Sequence, residues 1–145
     1  MYAEIIFKYA TMLAIFGWLM MLILTPLGFR TEKVVVGIVV ATLSVTYTFL
    51  LVNGFSATDF MKFSTLEDVM SLLGNKTAMA AGWIHYLAFD LMTGNWIVCN
   101  ARKLKIPFTY ILPSLLFTFM AGPFGLLMYI AIRWLIKKQY FFPEN

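Results

Sequence analysis

The chain has 145 residues, the size of a single domain, and 61% of them are hydrophobic against 12% charged, which excludes an ordinary soluble protein. Its net charge of +4 comes from 11 basic and 7 acidic residues. The basic residues lie beside apolar segments, as expected for contacts with lipid headgroups. No polar domain presents them together with exposed aromatic rings, so the composition also argues against a nucleic-acid-binding protein.

Four segments are long enough to cross the hydrocarbon core of a bilayer. Because backbone groups in lipid must pair within their own segment, each is predicted to be helical, even the second, which is rich in Val and Thr. We expect an all-α protein, one four-helix transmembrane domain over residues 1–145 with a short interfacial helix between the second and third spans. The predicted bounds are about 5–27, 34–53, 77–99 and 108–136 for the spans and about 64–74 for the interfacial helix.

The N-terminal segment is interpreted as a retained membrane anchor, because Glu4 precedes Lys8 and no small-residue cleavage site follows Leu24. With four spans, the first and third loops share one side of the membrane and carry five basic residues, against six on the other side. The density of basic residues in the short loops favours a cytoplasmic position for those two loops.

The segment between the second and third spans is too polar to cross a membrane. Ser64 and Glu67 have the spacing of a capping box, and Gly74 supplies a stop signal. Apolar residues repeat between them at helical spacing, which predicts an amphipathic helix at the interface. Its role as a lid or as a plain connector is left open.

The fourth span is interrupted at Pro113 and again at the sequence Gly-Pro-Phe-Gly, residues 122–125. Proline removes a helical amide, so the second interruption should kink or unwind the helix. Carbonyl groups freed at that depth require cover by protein or by a wet cavity, which would place the break in the bundle interior. Helix-packing glycines explain the same sequence equally well.

The third span carries an unusual set of polar side chains. With His85 at zero on a helix of about 100° per residue, they fall in one sector: Asn100 at about 60°, Thr93 at about 80°, Tyr86 at about 100° and Asp90 at about 140°. An ionised carboxylate at bilayer depth is unfavourable by at least about 2.5 kcal/mol, so Asp90 should face a partner or a wet cavity. The other helices are therefore expected to form walls around this stripe.

His85 and Asp90 are the candidate catalytic residues. Apolar surroundings favour a neutral carboxylic acid, which can donate a proton, and a neutral imidazole, which can accept one. Their directions differ by about 140°, but both side chains could enter one enclosed pocket from its two edges. The alternative is that each is a satisfied polar link between helices, bonded to Thr42, Thr46, Tyr47 or Asn53. The spacing alone leaves both interpretations open.

The candidate substrate-binding residues come from three helices: Trp83, Tyr86, Thr93 and Asn100 from the third, Thr42, Thr46 and Asn53 from the second, and Pro123 from the fourth. The threonines have a second interpretation, in which they bond back to their own helix. One cysteine and one histidine exclude a disulfide and a Cys/His metal cluster within the chain, so no metal is expected. No nucleophile or phosphate-binding motif is present, and no cofactor is expected.

The segment Gly-Trp-Ile-His-Tyr-Leu-Ala-Phe-Asp-Leu, residues 82–91, followed by Gly-Pro-Phe-Gly-Leu, residues 122–126, resembles the abscisic-acid-deficient-four-like family of four-helix membrane proteins, typified by plant neoxanthin synthase. The resemblance covers most of residues 55–133. It implies carotenoid chemistry, namely isomerisation of an epoxide to an allenic end group, which needs one proton given to oxygen and one removed from carbon. Asp90 as the acid and His85 as the base would fit such a reaction.

Three functions follow as expectations. The first is a cofactor-free isomerase of a carotenoid or related isoprenoid lipid, the second a noncatalytic carotenoid or lipid binder or accessory protein, and the third a small oligomeric transporter. The expected partners are membrane lipid and an apolar isoprenoid-like ligand, with homo-oligomers left open and nucleic acid excluded. Since the sequence has no plastid transit peptide, we expect a multi-pass protein of a bacterial inner membrane.

Overall fold

The computed structural model describes residues 2–56 and 58–138, and all regular structure in these ranges is helical. This confirms the predicted all-α class. The described residues form five helices, α1 (Tyr2–Leu24), α2 (Glu32–Gly54), α3 (Leu66–Leu73), α4 (Lys76–Lys103) and α5 (Phe108–Lys137), with a short 3₁₀ segment (Asp59–Phe63) before α3. After its opening turn, α2 forms a π-helix over Val35–Val40 and then continues as an α-helix.

Three of these helices, α1, α2 and α5, are long and apolar enough to cross a membrane. The prediction of four transmembrane helices is therefore supported in part. Helix α4 has 28 residues, which is long enough, but its Asp, Asn, His and Thr side chains lower its hydropathy below that of the other three. The structure gives a physical reason for this composition, because α4 is the helix that the others surround.

Helix α4 lies at the centre of the bundle and contacts every other helix. Helix α1 runs parallel to it: Tyr2 pairs with Thr77 near their starts, and Trp18 covers Gly94 further along. Helix α2 runs antiparallel, with Tyr47 against His85 and Gly54 against Thr77. The polar residues of α4 can thus face protein while α1, α2 and α5 present apolar side chains outward.

Small residues allow α1 to approach α4 closely. A Cβ atom on Gly94 would lie 2.6 Å from Trp18 Cη2, and a Cβ atom on Gly17 would lie 3.2 Å from Leu91 Cδ2. The Gly17 site also meets Val39 of α2 at 3.1 Å. Helices α1, α2 and α4 therefore meet at one level, as glycine-mediated membrane packing permits.

Helix α5 is not straight. Ala121 has φ −153° and ψ 71°, outside the helical region, whereas Pro113 does not break the helix. A Cβ atom on Gly125 would overlap the Thr118 backbone nitrogen and lie 2.5 Å from the Ser114 carbonyl oxygen. Since residues seven and eleven positions apart touch, the helix folds back on itself at Ala121. We call residues 108–120 the first arm, residues 122–137 the second arm and residues 120–122 the tip.

The two arms run in opposite directions along α4. Ile111 of the first arm lines a pocket with Val98 and Ala101. The tip meets Asp90, about half-way along α4, and in the second arm Tyr129 returns to Asn100. Both ends of α5 therefore lie beside the 104–107 loop, so the predicted single span over about 108–136 is wrong in shape. The predicted break is present, one residue before Gly122.

We call the end of the bundle that holds the 25–31 and 104–107 loops the loop end, and the opposite end the N-terminal end. Arg102 forms an ion pair with Glu32 and lies 3.5 Å from the Phe29 carbonyl, which ties the two loops together. At the N-terminal end Lys76 Nζ lies 2.5 Å from Glu4 Oε1.

The interfacial helix is present as α3, but its cap differs from the prediction. The N-cap is Thr65, whose hydroxyl accepts a hydrogen bond from the Asp68 backbone N–H at 3.1 Å. The capping pair is therefore shifted by one residue from Ser64 and Glu67. Leu72 is buried and Leu73 reaches the Gly82 site of α4, whereas Leu66 and Met70 are exposed, so α3 has one face on the bundle and one face free.

Candidate functional site

Asp90 is the buried carboxyl group of α4, with a side chain only 6% exposed. It lies against the tip of α5, where a Cβ atom on Gly122 would overlap Oδ1 and lie 2.9 Å from Cγ. Among the described residues, Oδ2 of Asp90 has no hydrogen-bond partner. Gly122 is therefore required because a larger side chain would occupy the space of the Asp90 carboxyl group, and no sequence pattern pairs these two residues.

Tyr86 connects Asp90 with the break in α5. Its hydroxyl group donates a hydrogen bond to the Met120 carbonyl oxygen at 3.0 Å, so a carbonyl at the break is satisfied by α4 as expected. The same hydroxyl group lies beside the Asp90 carboxyl group. The Tyr86 oxygen also lies close to the Gly122 backbone N–H, so the phenol connects the Asp90 carboxyl group with the tip of α5.

Trp83 continues this face of α4 toward the N-terminal end. Its indole N–H donates to the Thr11 hydroxyl of α1 at 3.1 Å, and its ring lies 5.7 Å from that of Phe7 and 5.5 Å from that of Tyr86. Trp83, Tyr86 and Asp90 are spaced by three and four positions, which places them on one helix face. Aromatic rings therefore extend from the carboxyl group along the junction of α1 and α4.

His85 lies on a different face of α4. Its side chain is exposed at the protein surface, with ring contacts to Tyr47 of α2 at 5.3 Å and to Phe89 at 4.6 Å. Asp90 instead faces α5. The structure does not bring His85 and Asp90 together in one pocket, so the proposed pairing of an acid and a base across a shared cavity is not observed.

The polar residues of α2 bond within their own helix. Thr46 donates to the Thr42 carbonyl at 2.8 Å, and Asn53 donates to the Phe49 carbonyl at 2.8 Å. These contacts follow the second interpretation of the threonine pattern. Thr42 and Asn53 are exposed and none of the three is joined to Asp90. Of the other predicted substrate-binding residues, Thr93 is half-buried on α4 and Pro123 is exposed next to the tip.

Asn100 belongs to a second polar cluster that the sequence did not reveal. Its side-chain oxygen accepts a hydrogen bond from the Tyr129 hydroxyl at 2.6 Å and lies 3.4 Å from Arg133 Nη1. Tyr129 and Arg133 are 0% and 1% exposed. The sequence analysis expects basic residues beside apolar segments to contact lipid headgroups, and for the buried Arg133 this expectation is wrong. Arg133 lies four positions after Tyr129, so both side chains are on one helix face. This spacing is the sequence signal from which the cluster could have been predicted.

The site thus consists of one carboxyl group in an apolar environment, a phenol, and a row of aromatic rings. A carboxyl group with a free oxygen can give a proton to a ligand atom and take one back, and aromatic rings can hold a long apolar chain. The arrangement defines a helical membrane protein with a buried carboxyl group at the level of a helix break.

Comparison with known proteins agrees with this class. The family described as ABA4-like, ABA DEFICIENT 4-like, matches residues 5–129. The chain belongs to this family, which confirms the resemblance drawn from residues 82–91 and 122–126. No curated protein and no solved structure gives a significant match.

Proposed function

We propose that this protein is an integral membrane enzyme that isomerises an apolar isoprenoid by proton transfer through Asp90. The observation that carries the proposal is the unpaired Oδ2 atom of a carboxyl group that is 6% exposed. A buried polar atom without a partner is unfavourable by about 1–3 kcal/mol, so its retention needs a reason, and a role toward a ligand supplies one.

The proposed arrangement in the bilayer has α1, α2 and α4 crossing the membrane while α5 enters from the loop end and returns. Two features support this arrangement. Helix α4 has 28 residues, against 23 for each of α1 and α2, and it packs against both of them and against α5. The tip of α5 is surrounded by exposed apolar side chains, with Met120 74%, Phe124 51% and Phe119 41% exposed, which suits hydrocarbon and not water.

The chemistry implied by the family resemblance can be written with Asp90 alone. The carboxylic acid donates its proton to an epoxide oxygen of the ligand, and the adjacent C–O bond breaks. A neighbouring carbon then loses a proton to the carboxylate, and the electron pair of that C–H bond forms a carbon–carbon double bond. The ligand is isomerised, Asp90 regains its proton, and no electron is transferred to or from the ligand.

In this scheme His85 is not the base, because it lies on another face of α4. The comparison of Asp90→Asn with His85→Gln separates the two possibilities. In membranes that contain the protein and an epoxidised carotenoid, Asp90→Asn should abolish formation of the isomer, whereas His85→Gln should retain turnover within about threefold, less than 1 kcal/mol. Both variants should insert and elute from gel filtration like the wild type.

Turnover by Asp90→Asn equal to the wild type would contradict the proposal. Loss of turnover in both variants, with folding intact, would instead restore His85 as a participant. Thr46→Val is a matched control on α2, since its hydroxyl bonds only the Thr42 carbonyl and its loss should leave turnover unchanged.

A noncatalytic ligand-binding function is the second candidate. It is favoured by the exposed rings of His85 and Phe89, the latter 61% exposed, next to Tyr47 on the outer surface. Protein purified gently from its host membrane would then carry an unmodified apolar ligand, identified by absorbance and mass, that is lost when Phe89 is replaced by Ala.

A further inference from the structure

The two ends of the bundle differ in charge once the fold of α5 is taken into account. Because α5 returns to the loop end, its basic residues join those of the two loops. The loop end then holds eight basic residues, Arg30, Lys33, Arg102, Lys103, Lys105, Arg133, Lys137 and Lys138, and one acidic residue, Glu32, for a net charge of 8 − 1 = +7.

The N-terminal end holds three basic residues, Lys8, Lys62 and Lys76, and four acidic residues, Glu4, Asp59, Glu67 and Asp68, for a net charge of 3 − 4 = −1. The remaining acidic residues are Asp90, at the tip of α5, and Glu144, which lies outside the described residues; together the four contributions give the total of +4. If α5 were straight, the net charge would be +4 at the loop end and +2 at the N-terminal end, and the two ends would differ little.

Six of the basic side chains at the loop end are exposed: Arg30, Lys33, Lys103, Lys105, Lys137 and Lys138. Glu32 is the single carboxylate among the described residues of this end, and Arg102 already pairs with it. Trp134 is 49% exposed and lies under the ammonium group of Lys138, 5.4 Å from its ring centroid. Tryptophan next to lysine is typical of the headgroup region of a membrane.

From this charge distribution we infer that the loop end is a docking surface for anionic phospholipid headgroups. The exposed cations surround the ends of α1, α2, α4 and α5, so they contact the headgroups of one leaflet. Basic residues near the ends of short loops remain on the cytoplasmic side, where anionic lipids concentrate. The surface therefore also orients the bundle, with α3 and the N-terminal end on the opposite side. This inference is independent of any chemistry at Asp90.

The first test uses lipid quenching of tryptophan fluorescence. Full-length protein is reconstituted in phosphatidylcholine vesicles that contain either brominated phosphatidylglycerol or brominated phosphatidylcholine at equal amounts. The wild type should be quenched more strongly by the anionic quencher, since Trp134, at 49%, is the most exposed of the four tryptophans and lies among the cations. We compare the ratio of quenching by brominated phosphatidylglycerol to quenching by brominated phosphatidylcholine. In the variant Lys103→Gln/Lys105→Gln/Lys137→Gln, this ratio should fall severalfold toward one.

The matched control is Lys8→Gln/Lys62→Gln/Lys76→Gln, which removes the same charge from the N-terminal end and should keep the wild-type ratio. Equal quenching of the wild type by both lipids, or equal losses in the two triple variants, would overturn the inference. Circular dichroism of all three proteins checks that the helices are intact.

The second test places the two ends of α5. Lys105→Cys and Lys138→Cys are made separately in a Cys99→Ser background and exposed to a membrane-impermeant maleimide in intact cells and in inverted vesicles. Both should react only in inverted vesicles. Reaction of Lys138→Cys from the outside and of Lys105→Cys from the inside would show a full crossing by α5 and remove the charge difference on which the inference depends.

Discussion

Replacement of Asp90 by Asn should make the protein more stable while it removes the proposed activity. Asn has the size of Asp but no negative charge, and its amide can donate a hydrogen bond. The Tyr86 oxygen beside it keeps one lone pair that can accept a hydrogen bond, because the Tyr86 proton is bonded to the Met120 carbonyl and the Gly122 N–H approaches the other lone pair. The substitution therefore supplies a donor where the wild type has a buried, unpaired Oδ2 atom.

The expected gain follows from that unpaired atom. Leaving a buried polar group without a partner is unfavourable by about 1–3 kcal/mol, so Asp90→Asn should raise the free energy of unfolding by about that amount. If Asp90 were a satisfied link between α4 and α5, the same substitution would lower the free energy of unfolding by about 1 kcal/mol or more. An increase in the free energy of unfolding would therefore indicate that Asp90 serves a ligand, and a decrease would indicate that it stabilises the fold.

The free energy of unfolding can be measured by denaturant titration in mixed micelles, with tryptophan fluorescence as the signal. The matched control is Asn95→Asp, the reverse substitution at another position of α4 that is 8% exposed. It places a carboxyl group in the bundle interior and should lower stability. A destabilised Asp90→Asn would refute the reasoning, whatever its effect on turnover.

Three further changes test the fold. Gly125→Val should lower stability by about 1–3 kcal/mol, because its side chain overlaps the first arm of α5, whereas Gly37→Ala, with no atom within 4 Å of the added Cβ, should be neutral in the same titration. Asn100→Leu should lower stability by about 1–3 kcal/mol, because the buried Tyr129 hydroxyl and the Arg133 guanidinium group both lose the Asn100 side-chain oxygen as an acceptor. Thr65→Ala should weaken the cap of α3 by about 1 kcal/mol, seen as faster amide hydrogen exchange in α3 alone.

The helices themselves could be predicted from the sequence, because a long apolar segment in lipid has no alternative to a helix. The observed α2, Glu32–Gly54, agrees closely with the predicted range of about 34–53. Helix α1 ends at Leu24, three residues earlier than predicted, where a turn formed by Thr25 and Gly28 begins. Local signals were sufficient for these elements.

The shape of α5 could not be predicted in the same way. The sequence located the break but not its angle, since proline permits anything from a mild kink to a reversal. The reversal depends on contacts between residues seven and eleven positions apart, at Gly125, Thr118 and Ser114, which helical periodicity does not encode. A straight span would place Arg133, Lys137 and Lys138 at the end of the bundle opposite to the one they occupy, and the predicted count of six basic residues on that side followed from this error.

The stripe on α4 was correct in its angles, and one partner named in the alternative interpretation, Tyr47, does lie against His85, but the shared pocket for His85 and Asp90 is not observed. His85 and Asp90 do diverge on the helix, and the divergence is large enough to give them different neighbours: Tyr47 on α2 for the histidine, and the tip of α5 for the aspartate. The sequence specifies the direction of a side chain on its own helix. It does not specify which helix lies in that direction.

The break in α5 and the carboxyl group on α4 have a common physical requirement. A hairpin that ends inside the bilayer leaves backbone carbonyls at its tip, and hydrocarbon offers them no donor. Tyr86 provides that donor to Met120, and it stands one turn before Asp90 on the same face. The tip must also approach α4 closely for this bond to form, and Gly122 permits the approach by leaving the space that Asp90 occupies. The polar face of α4 thus stabilises the hairpin, while the hairpin shields the one carboxyl group at that depth from lipid.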